Sequence, residues 1–318
     1  MLKVLRKGPG AIETVTLSAG WRMPEDAVWI DLVNPVREEE LAVERDLNVN
    51  IPTREEMAEI EPSSRLYQEN GATFLTATVL THSTTDFPLL APVTFVLVGE
   101  RLVTIRYAEP SSFKAFTAQW ERVPCDYSGG ETFLALLDAI VDRVADIVEG
   151  IATELEEASQ DVFRRPRRGG FDVVLAQLGH TQMVSAKARD SLASLTRLIA
   201  FAALADQLER VPDLRQHLRT LQRDVQSLSD HVGFLTNNIT FLLDAALGMI
   251  NIEQNSIIKI FSVAAVAFLP PTLIASIYGM NFHHMPELDW LAGYPMALFL
   301  MLISAAIPLW WFRRKGWL

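Results

Sequence analysis

The sequence predicts an α/β domain followed by a long stalk helix and a two-span C-terminal hairpin of transmembrane α-helices. Three observations carry that expectation. Residues 260–282 and 290–312 contain no Asp, Glu, Lys or Arg, and each stretch is long enough to cross a hydrocarbon core of about 30 Å at about 1.5 Å per residue. No proline lies between Pro212 and Pro270, so one helix is expected from Asp213 to about Tyr278, roughly 100 Å long. The first hundred or so residues mix β-type apolar runs with short helical patterns, the signature of a compact α/β domain.

The elements follow in order. Residues 11–19 alternate weakly, and residues 27–33 form an apolar run broken only by Asp31 and ending at Asn34-Pro35. Residues 37–47 read as helix, and Thr53-Arg54-Glu55-Glu56 is a capping-box pattern that opens another. Residues 93–98 and 102–107 enclose Gly99-Glu100-Arg101 and read as a hairpin. From about Glu131 the period changes. Phe133, Leu136, Leu137, Ile140, Val141, Val144 and Ile147 recur at helical spacing, so a helix is expected to about Phe163. Arg164-Arg165-Pro166-Arg167-Arg168-Gly169-Gly170 reads as a solvated turn, and a second helix is expected from Phe171 to about Leu208, closed by Pro212. The organisation is then residues 1–130 as the α/β domain, 131–212 as a helical hairpin, 213–259 as the stalk and 260–282 as the first span. An outer loop at 283–289, a second span at 290–312 and a basic tail at 313–318 complete it.

Composition sets limits. Of 318 residues 49% are hydrophobic, and the mean hydropathy of +0.17 conceals a charged N-terminal part and a membrane-like last sixty or so residues. One cysteine, Cys125, excludes an intramolecular disulfide or a cysteine-rich metal site. Met1-Leu2-Lys3-Val4-Leu5-Arg6-Lys7 leads into no apolar segment, so no secretory signal is expected. Arg313, Arg314, Lys315 and Lys259 flank the spans, while the loop between them carries Glu287 and Asp289 and no Lys or Arg. Positive charge stays inside, which puts both termini in the cytoplasm of a cell (inner) membrane protein and the loop outside. A formal net charge of −11 argues against a nucleic-acid partner and suits a protein that handles cations.

Residues 232–252 are a rival third span. They hold Asp244, Thr236, Asn237, Asn238, Thr240 and Asn251, too many polar groups to face lipid. A buried stalk fits better. Steps of four and three from Asp244 reach Gly248, Asn251, Asn255, Ile258, Ser262, Ala265, Leu269, Thr272 and Ser276, a 3.5-residue repeat that shares one seam of a left-handed bundle. The seam is mostly small or polar. A close-packing interface explains Gly248, Ala265 and Ser276 but not Asn251, Asn255 and Asp244. A narrow pore wall explains all of them, with Ile258 and Leu269 as apolar constrictions. One helix cannot enclose a pore, so a ring of subunits is implied. Phe261, Val263, Phe268, Leu273, Ile274 and Ile277 lie off the seam and suit lipid or neighbouring helices.

Tyr278-Gly279-Met280-Asn281-Phe282 resembles the signature of the CorA family of divalent-cation channels. Phe268-Leu269-Pro270-Pro271-Thr272 precedes it and Met285-Pro286-Glu287-Leu288 follows. Gly293-Tyr294-Pro295 opens the second span, and Lys315-Gly316-Trp317-Leu318 ends the chain. The close similarity covers about residues 255–318, and the remainder matches in plan. The resemblance implies a CorA-like homopentameric funnel, embedded in membrane lipid, that passes Mg²⁺, and also Co²⁺ and Ni²⁺, down its gradient through a central pore without nucleotide or cofactor. It implies that Gly279, Met280 and Asn281 form the selectivity motif, with the Asn281 amide as principal contact to the hydrated ion. It assigns Thr272, Asn255 and Asp244 to polar rings lower in the pore, three positions already on the seam. It further implies closure by intracellular Mg²⁺ at carboxylates between cytoplasmic domains. Asp224 and Asp230 lie near the right height, but the family's stalk aspartate falls near Thr220, so those ligands stay unassigned.

The chemistry is coherent, because Mg²⁺ is small, prefers octahedral oxygen and dehydrates reluctantly. Amide oxygens hold its waters without stripping them. Glu287 and Asp289 at the outer loop would concentrate cations, although Glu287 also suits a helix start after Pro286. His283 and His284 read as exposed polar residues or as Zn²⁺ or Ni²⁺ contacts. The alternatives are a zinc transporter of the related ZntB branch, which differs in the loop where this chain has Met285-Pro286-Glu287-Leu288, and a membrane-anchored sensor, which predicts an apolar seam. No nucleophile–base pair or metal cluster supports an enzyme.

Overall fold

The computed structural model describes residues 1–7, 12–18, 20–59, 61–81, 88–122, 127–164, 170–281, 283 and 285–316. Expectations that touch Ala11, Ala19, Cys125, Arg165, Pro166, Arg167, Arg168, Gly169, Phe282, His284, Trp317 and Leu318 lie outside the described residues. Two compact units divide the chain, Met1–Leu243 and Asp244–Leu318.

The first unit runs β1 (Leu2–Arg6), β2 (Glu13–Val15), β3 (Ala27–Val33), α1 (Arg37–Leu47), α2 (Arg54–Ala58) and α3 (Pro62–Arg65). Next come β4 (Leu66–Glu69), β5 (Ala72–Thr81), β6 (Leu89–Val98), β7 (Arg101–Arg106) and α4 (Ser111–Arg122). Then follow α5 (Gly129–Arg164), α6 (Phe171–Ala202), α7 (Asp206–Glu209) and the start of α8 (Pro212–Tyr278). The seven strands form one sheet in the order β2-β1-β3-β7-β6-β5-β4. All neighbours are antiparallel except β3 and β7.

Local sequence explains most of these boundaries. Helix α1 stops where Asn48 turns left-handed at φ 54°. Thr53 and Glu56 exchange the expected cap bonds, with Thr53 N–H donating to Glu56 Oε2 at 2.8 Å. The hairpin between β6 and β7 turns on two residues, Gly99 and Glu100, and Gly99 supplies the positive φ of 57°. Helix α6 ends at Ala202, six residues before the Leu208 that periodicity suggests. Apolar spacing continues past that point, but Ala205 and Leu208 reach the core through a turn and the short α7. Leu204, at the corner, is left exposed.

Both faces of the sheet are covered. On one, Ile30, Leu32, Phe74, Val96 and Val103 pack with Val43 and Met57 from α1 and α2. On the other, Trp29 and Phe95 meet Phe113, Phe116 and Phe133. The lone acid of the β3 run is buried on this second face. Asp31 is 2% exposed and accepts two bonds from Arg106 Nε and Nη2, at 3.0 and 2.9 Å, and one from Thr104 Oγ1 at 2.8 Å. Thr104 in turn accepts from Trp29 Nε1, and the Arg106 guanidinium lies over the Phe113 ring. Every charge in this clamp is paired and hydrogen-bonded, the condition under which ions are tolerated in a core. It ties the parallel β3–β7 junction to α4.

Strand β4 stops pairing at Leu75, so the rest of β5 would be a free edge. Helix α6 covers it. Thr78 N–H donates to Ser194 Oγ, and Ser191 Oγ donates to Thr78 O, both at 2.9 Å.

The first half of α8 packs on its own chain. Leu214, Leu218, Leu221, Val225, Val232, Leu235, Ile239, Leu242 and Ala246 are buried, and half-buried Leu228 completes a four–three repeat. Thr236 pairs with Ser185 of α6 at 2.9 Å, and His217 with Asp138 of α5 at 2.8 Å. Burial raises the Asp138 pKa even against the His217 hydrogen bond, helped by Asp142 and Asp224 nearby. Burial of this seam accounts for Val232, Leu235, Ile239, Leu242 and Ala246, while Phe234, Phe241, Leu247 and Ile252 of the same stretch are exposed.

Asp46 yields a pH test. Arg45 Nε at 2.8 Å, the Met23 N–H at 2.8 Å and Arg22 at 2.9 Å all donate to it. Chiefly through Arg45, its pKa falls from 3.8 to about 2. A depressed folded pKa contributes stability above the unfolded value, and that stability is lost as pH falls from about 4 through about 2. Asp46→Asn should therefore cost about 1 kcal/mol near neutral pH, after discount for solvent screening, and nothing below pH ~2. Denaturant melts of both proteins across that range check the sign.

Candidate functional site

The second unit contains the remainder of α8, a 3₁₀ turn at Pro286–Asp289 and α9 (Gly293–Arg314). Helix α8 continues to Tyr278 with Pro270 and Pro271 inside it. Each proline lacks an N–H, so the carbonyls of Val266 and Ala267 lose their usual intrahelical donors. One turn on, the Thr272 hydroxyl donates to the Phe268 carbonyl at 2.7 Å.

The polar seam falls on the side of α8 that its own chain leaves bare. Asp244, Gly248, Asn251, Asn255, Ala265, Thr272 and Ser276 are exposed, and only Ser262 is half-buried. Ile258 and Leu269 are 60% and 66% exposed. The covered side of the same segment is Val263, Ala267, Pro270, Ile274 and Tyr278, buried or half-buried. On α9 the matching stripe is Gly293, Ala297, Met301, Ser304, Pro308 and Phe312. Phe261, Phe268, Leu273 and Ile277 are exposed outside both sets. Asp244 makes no ion pair with a described residue, to Arg223 or Lys259 or any other.

At its C-terminal end the helix terminates on Gly279, whose N–H donates to the Ala275 carbonyl at 2.9 Å. A Cβ on Gly279 would stand 3.0 Å from that same oxygen, so the motif's glycine answers to close backbone approach rather than to a positive φ. Met280 and Asn281 follow outside the helix, both exposed. Glu287 is half-buried on the 3₁₀ turn, and Asp289 and His283 are exposed. Sequence reasoning missed what holds this turn in place. The Glu287 carbonyl lies against the Cα of Gly293, where any Cβ would overlap it. The only signal was a glycine near the polar start of the second apolar stretch, easily taken as a helix-opening residue.

At the C-terminal end of α9, Arg314 and Lys315 lie over the rings of Trp310 and Trp311, aromatic and basic groups that suit a membrane boundary. Among the described residues no three His, Cys, Asp or Glu side chains converge on a point. One chain thus presents single polar side chains along a line.

Two described helices are long and apolar enough to cross a membrane, Pro212–Tyr278 and Gly293–Arg314. Only 6% and 11% of their most apolar windows are buried, so they are not core helices of a water-soluble domain. An α/β domain joined by one long helix to an exposed apolar hairpin with a polar seam defines an integral membrane protein of the transporter class.

Comparison with known proteins narrows the class. The family model for the CorA-like Mg²⁺ transporter protein matches residues 24–314. The chain is 36% identical over 300 residues to the magnesium transport protein CorA of Pasteurella multocida, covering 92% of each. It is 35% identical over 295 residues to the proteins of that name from Salmonella typhimurium and Escherichia coli, again covering 92% of each. This chain belongs to the CorA-like Mg²⁺ transporter family, a family of ion transporters rather than enzymes.

The fold agrees across greater distance. The complete CorA magnesium transporter from Methanocaldococcus jannaschii superposes with a TM-score of 0.77 at 19% identity, covering 100% of this chain and 99% of that one. Full-length CmaX gives 0.71 at 19% identity over 99% and 97%. The ZntB cytoplasmic domain from Vibrio parahaemolyticus gives 0.60 at 9% identity, over 79% of this chain and 98% of that one.

Gly293 yields a test of the outer loop. Gly293→Ala must displace the Glu287 carbonyl, an overpacking strain of about 1–3 kcal/mol. The purified protein in detergent should melt several degrees lower. Gly248→Ala meets nothing within 4 Å in its own chain, so a lower melt for that variant would report contacts made by another copy.

Proposed function

We propose that this chain is the subunit of a homopentameric channel that carries Mg²⁺ passively across a cell inner membrane into the cytoplasm. The observation that carries the reading is the seam itself. Small and polar residues recur every 3.5 positions from Asp244 to Ser276 on the bare side of α8, and the helix then ends in Gly279-Met280-Asn281. Family membership and the named activity of relatives at 35–36% identity support Mg²⁺ as the substrate. Zinc transport draws on a likeness of fold alone, at 9% identity.

In this reading five copies of α8 surround the pore. The Asn281 amides at the outer end accept hydrogen bonds from waters bound to the ion, which enters hydrated. Glu287 and Asp289, with no Lys or Arg in their loop, concentrate cations there. Below, Leu269 and Ile258 are apolar rings that close the pore when they dewet, and Thr272, Asn255 and Asn251 line the polar stretches around them. Asp244 sets a ring of carboxylates at the inner end, whose mutual repulsion a passing cation relieves. Co²⁺ and Ni²⁺, whose hydrated ions resemble that of Mg²⁺, follow the same route. Cytoplasmic Mg²⁺ closes the channel by binding carboxylates of the first unit. Both termini lie in the cytoplasm, as the basic end of α9 favours.

Liposome flux measurements test each part. Asn281→Ala should abolish Mg²⁺ uptake while assembly persists, and normal uptake by a correctly inserted variant would refute the entry site. Leu269→Ser and Ile258→Ser should each raise flux at high internal Mg²⁺. If neither does, those side chains face lipid or a neighbouring helix. Asp244→Asn should melt higher than the parent without divalent ions and gain less from added Mg²⁺. A loss of stability that is the same at every Mg²⁺ concentration would place Asp244 in an ion pair between subunits instead.

A further inference from the structure

We propose that Phe234 and Phe241 of α8 form a cytoplasmic aromatic constriction of the pore, below the Asp244 ring. The inference rests on the channel reading above and extends it to a segment in which neither the motif nor the apolar spans lie.

The argument begins with the register of α8. Its packed side is the repeat from Leu214 to Ala246, all buried or half-buried against the chain's own helices. Stepping two residues along a helix rotates by about 200°, so the positions two residues beyond the members from Leu214 to Leu242 lie nearly opposite. They are Gln216, Thr220, Arg223, Ser227, Asp230, Phe234, Asn237, Phe241 and Asp244, every one exposed. The helix is unbroken through this region, so this line and the seam from Asp244 to Ser276 are one continuous repeat.

Along that line the chemistry changes abruptly. Five polar positions, Gln216 to Asp230, suit a surface open to water. Phe234 and Phe241 then stand 59% and 60% exposed, with Asn237 between them. The Phe241 ring is 6.4 Å from that of Phe163, itself 55% exposed, and that contact leaves all three rings largely uncovered. The Phe234 ring instead stacks on that of His231, 6.3 Å away, and exposed phenyl rings next to a strictly polar stretch mark a contact surface. Its position on the seam names the occupant, since residues that face the axis meet their own copies there.

The consequence is a chamber. Asp244, Gly248, Asn251 and Asn255 occupy the seam between Phe241 below and Ile258 above, 17 residues or about 25 Å of helix. Both ends of this polar interval are apolar, and a ring of large apolar side chains opposes a hydrated ion unless it widens or wets. An ion that has passed Ile258 is therefore held against the Asp244 carboxylates until the aromatic ring opens. Release into the cytoplasm becomes a second controlled step, at residues distinct from those that admit the ion.

Single cysteines on a Cys125→Ser background, in the full-length protein in liposomes, provide the test. Phe241→Cys is exposed from the cytoplasmic side to a charged methanethiosulfonate, with labelling verified by mass spectrometry and Mg²⁺ flux measured. Asn255→Cys is treated in the same way. The proposal expects labelled Phe241→Cys to lose most of its flux, and unlabelled Phe241→Ser to exceed the parent several-fold at high internal Mg²⁺. Phe241→Leu, which keeps the ring apolar, should stay near the parent. If labelled Asn255→Cys is blocked while labelled Phe241→Cys conducts normally, the aromatic ring lies away from the axis and this inference falls while the channel reading stands. If labelled Asn255→Cys also conducts normally, the channel reading fails and this inference with it. Should Phe241→Cys not assemble, Phe234→Cys carries the same comparison.

Discussion

The first half of the 67-residue α8 gives one apolar side to its own chain, and much of the structure depends on that packing. Leu214 to Ala246 commit one side to α5 and α6 through buried apolar contacts and the Ser185–Thr236 and Asp138–His217 pairs. The heptad spacing keeps that commitment on a fixed line instead of letting it wind around the cylinder. Past the last of these contacts, Val263, Ala267, Pro270 and Ile274 form the covered line. Residues 251–260 are exposed all round, and the bare surface of α8 holds apolar side chains such as Phe261 and Phe268 as well as amides and hydroxyls. The small and polar seam lies two positions beyond each covered line, about 200° around the helix.

The α/β unit holds the first of those helices in place. Its sheet has one parallel junction, β3–β7, and there the buried Asp31–Arg106 clamp reaches across to Phe113 of α4. On the far side α6 supplies two serines to the stretch of β5 that β4 leaves unpaired. A sheet whose junction and edge are both bonded to helices gives α5 and α6 fixed positions. They in turn present a rigid surface to α8.

The parts of the fold legible in the sequence were those whose signal is local. Arg37–Leu47, the Thr53 cap, the β6–β7 turn and the long α5 and α8 all declare themselves by spacing or capping. No element was read over β1, β4, β5 or α4. In β5, threonines alternate with apolar residues on a strand buried along nearly all its length, and what fixes it is pairing with β6 and bonds from α6, neither visible locally. The end of α6 was misplaced because apolar spacing runs through Leu208 while the backbone turns at Ala203. At the candidate site helical register gave the line from Asp244 to Ser276, and the Gly-Met-Asn motif was read from its resemblance to the family. The site's supporting contacts were not legible, because the Glu287 carbonyl against Gly293 and the Phe268 carbonyl that accepts from the Thr272 hydroxyl are backbone partners that leave no side-chain pattern.

The contact between Glu287 and Gly293 joins the 3₁₀ turn to the first turn of α9. The turn can lie this close to the helix only while position 293 carries no side chain, so the placement of the half-buried Glu287 depends on a residue further along the chain, at the start of the next helix.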